Sequence, residues 1–224
     1  MRNGLKGEGT MVKRFLDDHV IWWTGQGLIG KTFSSYALRQ NGVTVWIDAV
    51  DPGQDLDAVL AFGKPDHLLI TFGDHDRGVN ALAQRYGAQV WVPEGQAPDF
   101  PKPDHVFRDG DSLPGGLTAM TFPGVGYGES MLHGEIAGKR AAFIGDAFFH
   151  LSPPALLKPL LSLILRMGTG EIQTKRAFRG GDTDLARRSL PKVLDLNLDA
   201  AFFSHGSPIA AGAHRALETS LKSF

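Results

Sequence analysis

Residues 68–78, LLITFGDHDRG, decide how the chain is interpreted. The first half of this stretch is apolar and contains a β-branched residue, which predicts a buried strand. Asp74, His75, Asp76 and Arg77 follow at the end of that strand. Functional loops lie at strand ends, held in place by the rigid sheet. Carboxylates and an imidazole at this point therefore predict a functional site.

Three later segments have the same design, in which polar or glycine-rich residues follow an apolar strand. They are Pro123-Gly124-Val125, Gly145-Asp146 and His205-Gly206. Strand-like runs dominate the rest of the chain, and helical patterns follow them twice. Two β-rich halves with helices outside predict a layered α/β sandwich. We expect one domain over residues 1–224, with residues 1–18 as a loosely ordered N-terminal segment.

Composition excludes several classes of protein. The 224 residues include 23 Lys and Arg against 24 Asp and Glu, so there is no basic field to bind nucleic acid or an anionic membrane. The absence of cysteine excludes disulfides, thiolate nucleophiles and thiolate zinc sites. A bound metal would therefore use His, Asp or Glu. The N-terminus has no secretory pattern, and we expect a cytoplasmic protein without a membrane span.

In order and spacing, these segments resemble the metallo-β-lactamase superfamily. Its motifs are T-H-x-H-x-D-H, then P-G-H, then G-D, then a late H-G. The resemblance runs from about Phe33 to the C-terminus and implies a four-layer αββα sandwich. It matches Asp146 to the residue that bridges two metals and His205 to the last ligand. Ile47-Asp48 matches the I-D pair that ends the opening hairpin, where we expect Asp48 to order a turn.

The sequence departs from the family at most of the ligand positions. Phe72 stands at the first histidine of the first motif, and Asp74 stands at the second. Asp76 keeps the aspartate, whereas Arg77 replaces the last histidine. Val125 replaces the histidine of P-G-H. The metal position with three histidines has therefore lost all of them.

The resemblance implies either one divalent metal or none. Asp76, Asp146 and His205 would hold the metal, with His75 as a further ligand if the loop is shifted by one residue. Carboxylates with one imidazole suit iron or manganese at least as well as zinc.

Arg77 is the main argument against a metal. A guanidinium stays protonated and repels a second cation. We therefore predict that Arg77 replaces part of the metal charge by pairing with Asp74, Asp76 or Asp146. Asp146, His75 and Asp74 are the candidate catalytic residues.

The family implies hydrolysis of an ester, thioester, lactone or similar small substrate. The alternative is a non-catalytic, metal-free homologue that uses the cleft to bind a small molecule. The apolar segment from Pro154 to Leu165 follows the Asp146 loop. It would form a lid, a homodimer contact or a buried helix.

A second alternative is a P-loop ATPase, because residues 25–32, from Gly25 to Thr32, match G-x-x-x-x-G-K-T. That chemistry needs a helix directly after the loop, with its N-terminus facing the phosphates. The residues from Phe33 to Leu38 instead alternate as a strand does. Asn41-Gly42 then predicts a hairpin turn too early for a parallel crossover.

Overall fold

The computed structural model describes residues 12–26, 32–73, 75, 77–95, 103–126, 128–151, 172–174 and 181–222. Its first sheet holds seven strands in chain order: β1 (Lys13–Phe15), β2 (Val20–Gln26), β3 (Thr32–Gln40), β4 (Val43–Ile47), β5 (His67–Leu69), β6 (Gln89–Pro93) and β7 (His105–Phe107). Neighbours are antiparallel from β1 to β4 and parallel from β4 to β7. Helix α1 (Leu56–Phe62) connects β4 to β5, and α2 (Val79–Tyr86) connects β5 to β6.

The second sheet has the order β14-β11-β10-β9-β8. Its strands are β8 (Ser112–Leu113), β9 (Leu117–Thr121), β10 (Ser130–Ile136), β11 (Lys139–Ile144) and β14 (Ala200–Phe203). Only the β11–β14 pair is parallel among these strands. Strands β12 (Phe148–Phe149) and β13 (Gln173–Thr174) pair separately. Helix α3 (Thr183–Ser189) precedes β14, and α4 (Ala213–Leu221) follows it.

Three apolar clusters define four layers. The cluster between the sheets joins residues of the first sheet, such as Tyr36 and Leu69, to residues of the second, such as Phe143. The outer face of the first sheet packs against α1 and α2, and the outer face of the second packs against α3 and α4. The alternating side chains of each sheet therefore fill two cores at once. This arrangement is the predicted αββα sandwich.

The predicted hairpin turn is confirmed, and a side-chain cap begins one of the helices. Asn41 and Gly42 connect β3 to β4 with positive φ angles of 53° and 78°. Asp182 caps α3, because its side chain accepts hydrogen bonds from the backbone N–H groups of Asp184 and Leu185. The α-helix ends at Ser189 and continues as a 3-10 helix from Leu190 to Leu196, with Pro191 in its first turn.

The P-loop interpretation is wrong. β2 and β3 are antiparallel partners, with Gln26 opposite Thr32. Thr32 therefore begins a strand rather than a helix. Without a helix N-terminus after the loop, the geometry for binding nucleotide phosphates is missing. Lys31 itself lies outside the described residues.

The N-terminal expectation differs from the structure at its end, since Lys13–Phe15 pairs with β2 as a strand. Residues 1–11 and the segment from Pro154 to Leu165 lie outside the described residues, so the dimer contact stays a prediction. No helix in the described part of the chain is long and apolar enough to cross a membrane.

Candidate functional site

The functional side chains lie on loops that leave neighbouring strands at the same end. His75 and Arg77 follow β5, and Asp48 follows its parallel neighbour β4. Asp146 follows β11, and His205 follows its parallel neighbour β14. The backbone N–H of Ser34 on β3 donates to the carbonyl of Ser204 at 3.0 Å, which links the two sheets beside these loops. Topology therefore brings residues from distant parts of the chain into one cleft.

His75, Asp146 and His205 form the centre of the cleft. Asp146 Oδ1 lies 3.3 Å from His75 Nε2 and 3.0 Å from His205 Nε2. One ligand atom from each residue can be chosen so that all three lie within 4.8 Å of one another. The two imidazoles thus share a single carboxylate oxygen. The structure thus brings together Asp146, His205 and His75, which the sequence analysis named as candidate metal ligands.

Asp48 has a larger role than the expected ordering of a turn. Its carboxylate accepts hydrogen bonds from the backbone N–H of Thr71 at 2.9 Å and from the hydroxyls of Thr71 and Ser204. Its Oδ2 also lies 3.4 Å from His75 Nδ1. Since only 1% of the side chain is exposed, these contacts replace water as its solvation. Asp48 therefore orders the turn and also orients His75.

The guanidinium of Arg77 faces the two histidines. Its Nη2 lies 3.2 Å from His75 Nε2 and 3.4 Å from His205 Nε2. Its Nη1 donates to the backbone carbonyls of Ser34 and Asp48 at 3.4 and 3.2 Å. The group also lies over the Phe33 ring, 4.4 Å from its centroid. Among the described residues, Arg77 thus contacts imidazoles and carbonyls rather than pairing directly with Asp146.

The two histidines have opposite pKa shifts. Burial and the Arg77 charge lower the pKa of His75, but the carboxylates of Asp48 and Asp146 outweigh them and raise it. For His205, burial dominates and lowers the pKa despite the hydrogen bond to Asp146. Burial alone would raise the pKa of Asp146, yet both imidazoles hold it well below its usual range. Asp146 is therefore ionised at neutral pH, and protonation is easier at His75 than at His205.

Burial lowers the pKa of Arg77, while the negative charges of Asp48 and Asp146 oppose that shift. The two carboxylates thus act on the guanidinium through space. An arginine stays protonated even when buried. The predicted pairing of Arg77 with Asp74 or Asp76 stays a prediction, because both residues lie outside the described part of the chain.

Glu129 is a site residue that sequence reasoning missed. Its Oε2 accepts a hydrogen bond from the backbone N–H of Asp146 at 3.0 Å, and 1% of the residue is exposed. A Cβ on Gly145 would lie 2.6 Å from Glu129 Oε1, so the glycine lets this carboxylate approach the backbone. Glu129 begins no motif that matches the family, and only the fold brings it to the Asp146 loop.

The remaining predicted residues divide into two groups. Asp74 and Asp76 lie outside the described residues, so their catalytic and metal-binding roles stay predictions. Phe72 and Val125, which replace family ligands, are described. The Phe72 ring packs edge-on against His75 with centroids 5.2 Å apart, and Val125 is buried in the outer core of the second sheet. Apolar side chains therefore occupy two positions where the family has imidazoles.

Solved structures of metallo-β-lactamases resemble this chain over almost its whole length. The subclass B3 metallo-β-lactamase BJP-1 of Bradyrhizobium japonicum is 18% identical, with a TM-score of 0.59 over 92% of this chain and 87% of its own. A metallo-β-lactamase family protein of Thermus thermophilus is 16% identical, with a TM-score of 0.61 over 92% and 79%. DIM-1 metallo-β-lactamase is 10% identical, with a TM-score of 0.68 over 94% and 95%.

The chain has the metallo-β-lactamase fold, as the sequence predicted. No protein-family profile matches it, and neither does any curated protein. Identities of 10 to 18% establish the architecture, while function must be argued from the site itself.

The names of these structural relatives include a metal, so we asked whether the cleft residues of this chain could bind a metal ion. The spacing fits: separations of 3.0 and 3.3 Å between donor atoms are close to the ~3.4 Å expected between tetrahedral zinc ligands with bonds of about 2.1 Å. The positive charge of Arg77 does not fit a metal ion, because Nη2 of Arg77 lies beside both imidazole nitrogens that would bind the metal. With Arg77 in this position, the cleft does not fit a divalent cation.

Proposed function

We propose that this protein is a metal-independent hydrolase of small esters, thioesters or lactones, with His205 as general base. The observation that carries the proposal is the 3.0 Å contact between Asp146 Oδ1 and His205 Nε2. A carboxylate bound to one imidazole nitrogen fixes the ring and stabilises the imidazolium that forms when the other nitrogen accepts a proton. Within the described residues, Nδ1 of His205 has no hydrogen-bond partner.

The pKa shifts support the same assignment of roles. The pKa of His205 is lowered, so its neutral form can accept a proton near pH 7. Asp146, whose pKa lies well below its usual range, supplies a fixed negative charge. His75 contacts the carboxylates of both Asp48 and Asp146, and it is therefore a positioning residue for Asp146.

Ring contacts hold His205 in one orientation. Its imidazole stacks on Phe149 with centroids 5.3 Å apart and packs against Phe33 at 5.4 Å. About 14% of the His205 side chain is exposed, so it lies at the boundary between protein and solvent. A base in this position can reach a substrate that enters the cleft while its hydrogen bond to Asp146 stays buried.

The reaction follows from these groups. His205 takes a proton from water as the water oxygen bonds to the acyl carbon. The bond from that carbon to the leaving oxygen or sulfur then breaks, and His205 returns the proton to the leaving group. The products are a carboxylic acid and an alcohol or thiol, or a hydroxy acid when the substrate is a lactone.

The test is hydrolysis of p-nitrophenyl acetate, a short acyl thioester and γ-butyrolactone in buffer containing EDTA. We expect turnover that EDTA leaves unchanged and that falls about 100-fold or more in His205→Ala and Asp146→Ala. His19→Ala, at the turn between β1 and β2, is the matched control and should keep full activity. Unchanged turnover in Asp146→Ala would contradict the proposal, as would activity that EDTA abolishes and zinc restores.

Ligand binding without turnover would support the non-catalytic alternative instead. The same three compounds, and their carboxylic acid products, are therefore also tested for a shift in melting temperature. A shift that His205→Ala removes, in a protein that hydrolyses none of the substrates, would replace hydrolysis by binding as the function of the cleft.

A further inference from the structure

The cleft contains a set of metal-ligand atoms that is already assembled. The donor atoms are Nε2 of His75, Oδ1 of Asp146 and Nε2 of His205. Oδ1 of Asp146 lies 3.3 and 3.0 Å from the two nitrogens. Two imidazoles and one carboxylate around a common point suit zinc, iron or manganese.

Each donor is held by a separate contact outside the set. His75 presents its other ring nitrogen to the Asp48 carboxylate at 3.4 Å, an arrangement that orients histidine ligands in metalloproteins. His205 stacks on Phe149, and the backbone N–H of Asp146 donates to Glu129 at 3.0 Å. The set therefore does not need a metal to keep its shape.

Arg77 supplies a positive charge to this set from the protein itself. Its Nη2 lies 3.2 and 3.4 Å from the two Nε2 atoms, close to the separation that a further ligand atom would have. A divalent ion at this point would meet the guanidinium charge at a distance where repulsion in a protein interior is strong.

The contacts of Arg77 keep it in this position. The Ser34 and Asp48 carbonyls accept hydrogen bonds from Nη1, and the Phe33 ring lies under the guanidinium. Arg77 also has a positive φ of 44°, which is uncommon for a residue other than glycine. The guanidinium is thus held by β3 and by the loop that follows β4, beside the donor atoms.

We propose that Arg77 closes a complete divalent-metal site formed by His75, Asp146 and His205, and that removing its charge opens the site to one metal ion. The inference concerns the same cleft as the proposed hydrolysis but rests on geometry alone. It is therefore measured without substrate, and its failure is distinguishable from failure of the proposed hydrolysis.

The experiment is zinc binding by the metal-free full-length chain, followed by equilibrium dialysis with elemental analysis and by calorimetric titration. We expect less than about 0.1 equivalent of bound zinc for the intact protein at micromolar free zinc. Arg77→Ala should bind about one equivalent, at least ~100-fold more tightly than the intact protein. Cobalt should give a visible absorption band with Arg77→Ala alone.

Three variants control the measurement. Arg77→Lys keeps the positive charge and should still bind no zinc. Arg85→Ala removes an arginine whose side chain is half exposed on α2, and its zinc binding should equal that of the intact protein. His205→Ala in the Arg77→Ala background removes one ligand and should lose the gained affinity. Circular dichroism and the melting temperature establish that each variant is folded.

Two results would overturn the inference. One is tight binding of one zinc per chain by the intact protein, because Arg77 would then not exclude the metal. The other is a folded Arg77→Ala protein that gains no zinc affinity, because the donor set would then be incomplete without help from other residues.

Discussion

Replacing Asp48 by asparagine should destabilise the protein by about 3 kcal/mol. Three hydrogen bonds reach its carboxylate, from the backbone N–H of Thr71 and from the hydroxyls of Thr71 and Ser204. A hydrogen bond to a charged group contributes about 1 kcal/mol more than one to a neutral group, so loss of the charge costs about 1 kcal/mol at each contact. The side chain is buried, so water cannot replace what is lost.

Urea unfolding followed by tryptophan fluorescence measures this change. Asp48→Asn should lower the midpoint while leaving the dependence on urea unaltered, because the surface exposed on unfolding stays the same. Asp57→Asn, on the exposed side of α1, is the matched control and should lie within about 0.5 kcal/mol of the intact protein. A loss below about 1 kcal/mol for Asp48→Asn would refute the reasoning that this carboxylate connects the site loops.

The difference in unfolding free energy between the intact protein and Asp48→Asn should depend on pH, and the pKa shift of Asp48 determines the direction. The pKa of Asp48 is lowered on folding, because the charges of His75 and Arg77 and the Ser204 hydrogen bond outweigh the burial that would raise it. A carboxyl with a depressed folded pKa stabilises the protein fully above its unfolded value of about 4 and loses this as the pH falls toward the folded value. The gap between intact protein and Asp48→Asn should therefore shrink as the pH falls below about 4.

Three further substitutions test the fold in the same unfolding assay. Tyr36→Phe removes a buried hydroxyl that donates to a β14 carbonyl at 2.6 Å and should cost about 1 to 2 kcal/mol; an unchanged midpoint would contradict this. Asp182→Ala removes the N-cap of α3 and should cost about 1 kcal/mol, with a matching loss of helical circular dichroism. Gly206→Ala places a Cβ 1.9 Å from the His150 carbonyl oxygen, whereas Gly110→Ala adds one in open space at a similar positive φ. The first should be at least about 2 kcal/mol less stable than the second, and equal losses would show that backbone strain alone matters.

The fold was predictable because long strands and tight turns leave local patterns. The run from Phe33 to Leu38 in β3 and the run from Val43 to Ile47 that forms β4 have strand-like patterns, and Asn41-Gly42 marks the turn between them. Short strands such as Lys13–Phe15 and His105–Phe107 were missed, since three residues are too few to establish a period. Their pairing depends on neighbouring strands that are already in place.

The site was predictable only where a motif and a strand end coincide. Asp146 and His205 each follow a buried strand with an adjacent glycine, and this local pattern is enough to locate them in the sequence. Asp48 and Glu129 carry no comparable signal, because their importance comes from hydrogen bonds to residues far along the chain. Of the carboxylates predicted to pair with Arg77, Asp74 and Asp76 lie outside the described residues, whereas among those that are described the guanidinium lies beside two imidazoles.

The parallel pairing of β14 with β11 has a consequence for synthesis of the protein. Strands β2, β3 and β4 follow one another and can pair as soon as they leave the ribosome, whereas β14 must wait for residues 200–203. Ser204, which forms hydrogen bonds with both Ser34 and Asp48, is synthesised directly after β14. A nascent chain that stops before this strand has most of its first sheet but no assembled cleft. Contacts of such long sequence separation form slowly, so completion of the cleft is a late step in folding.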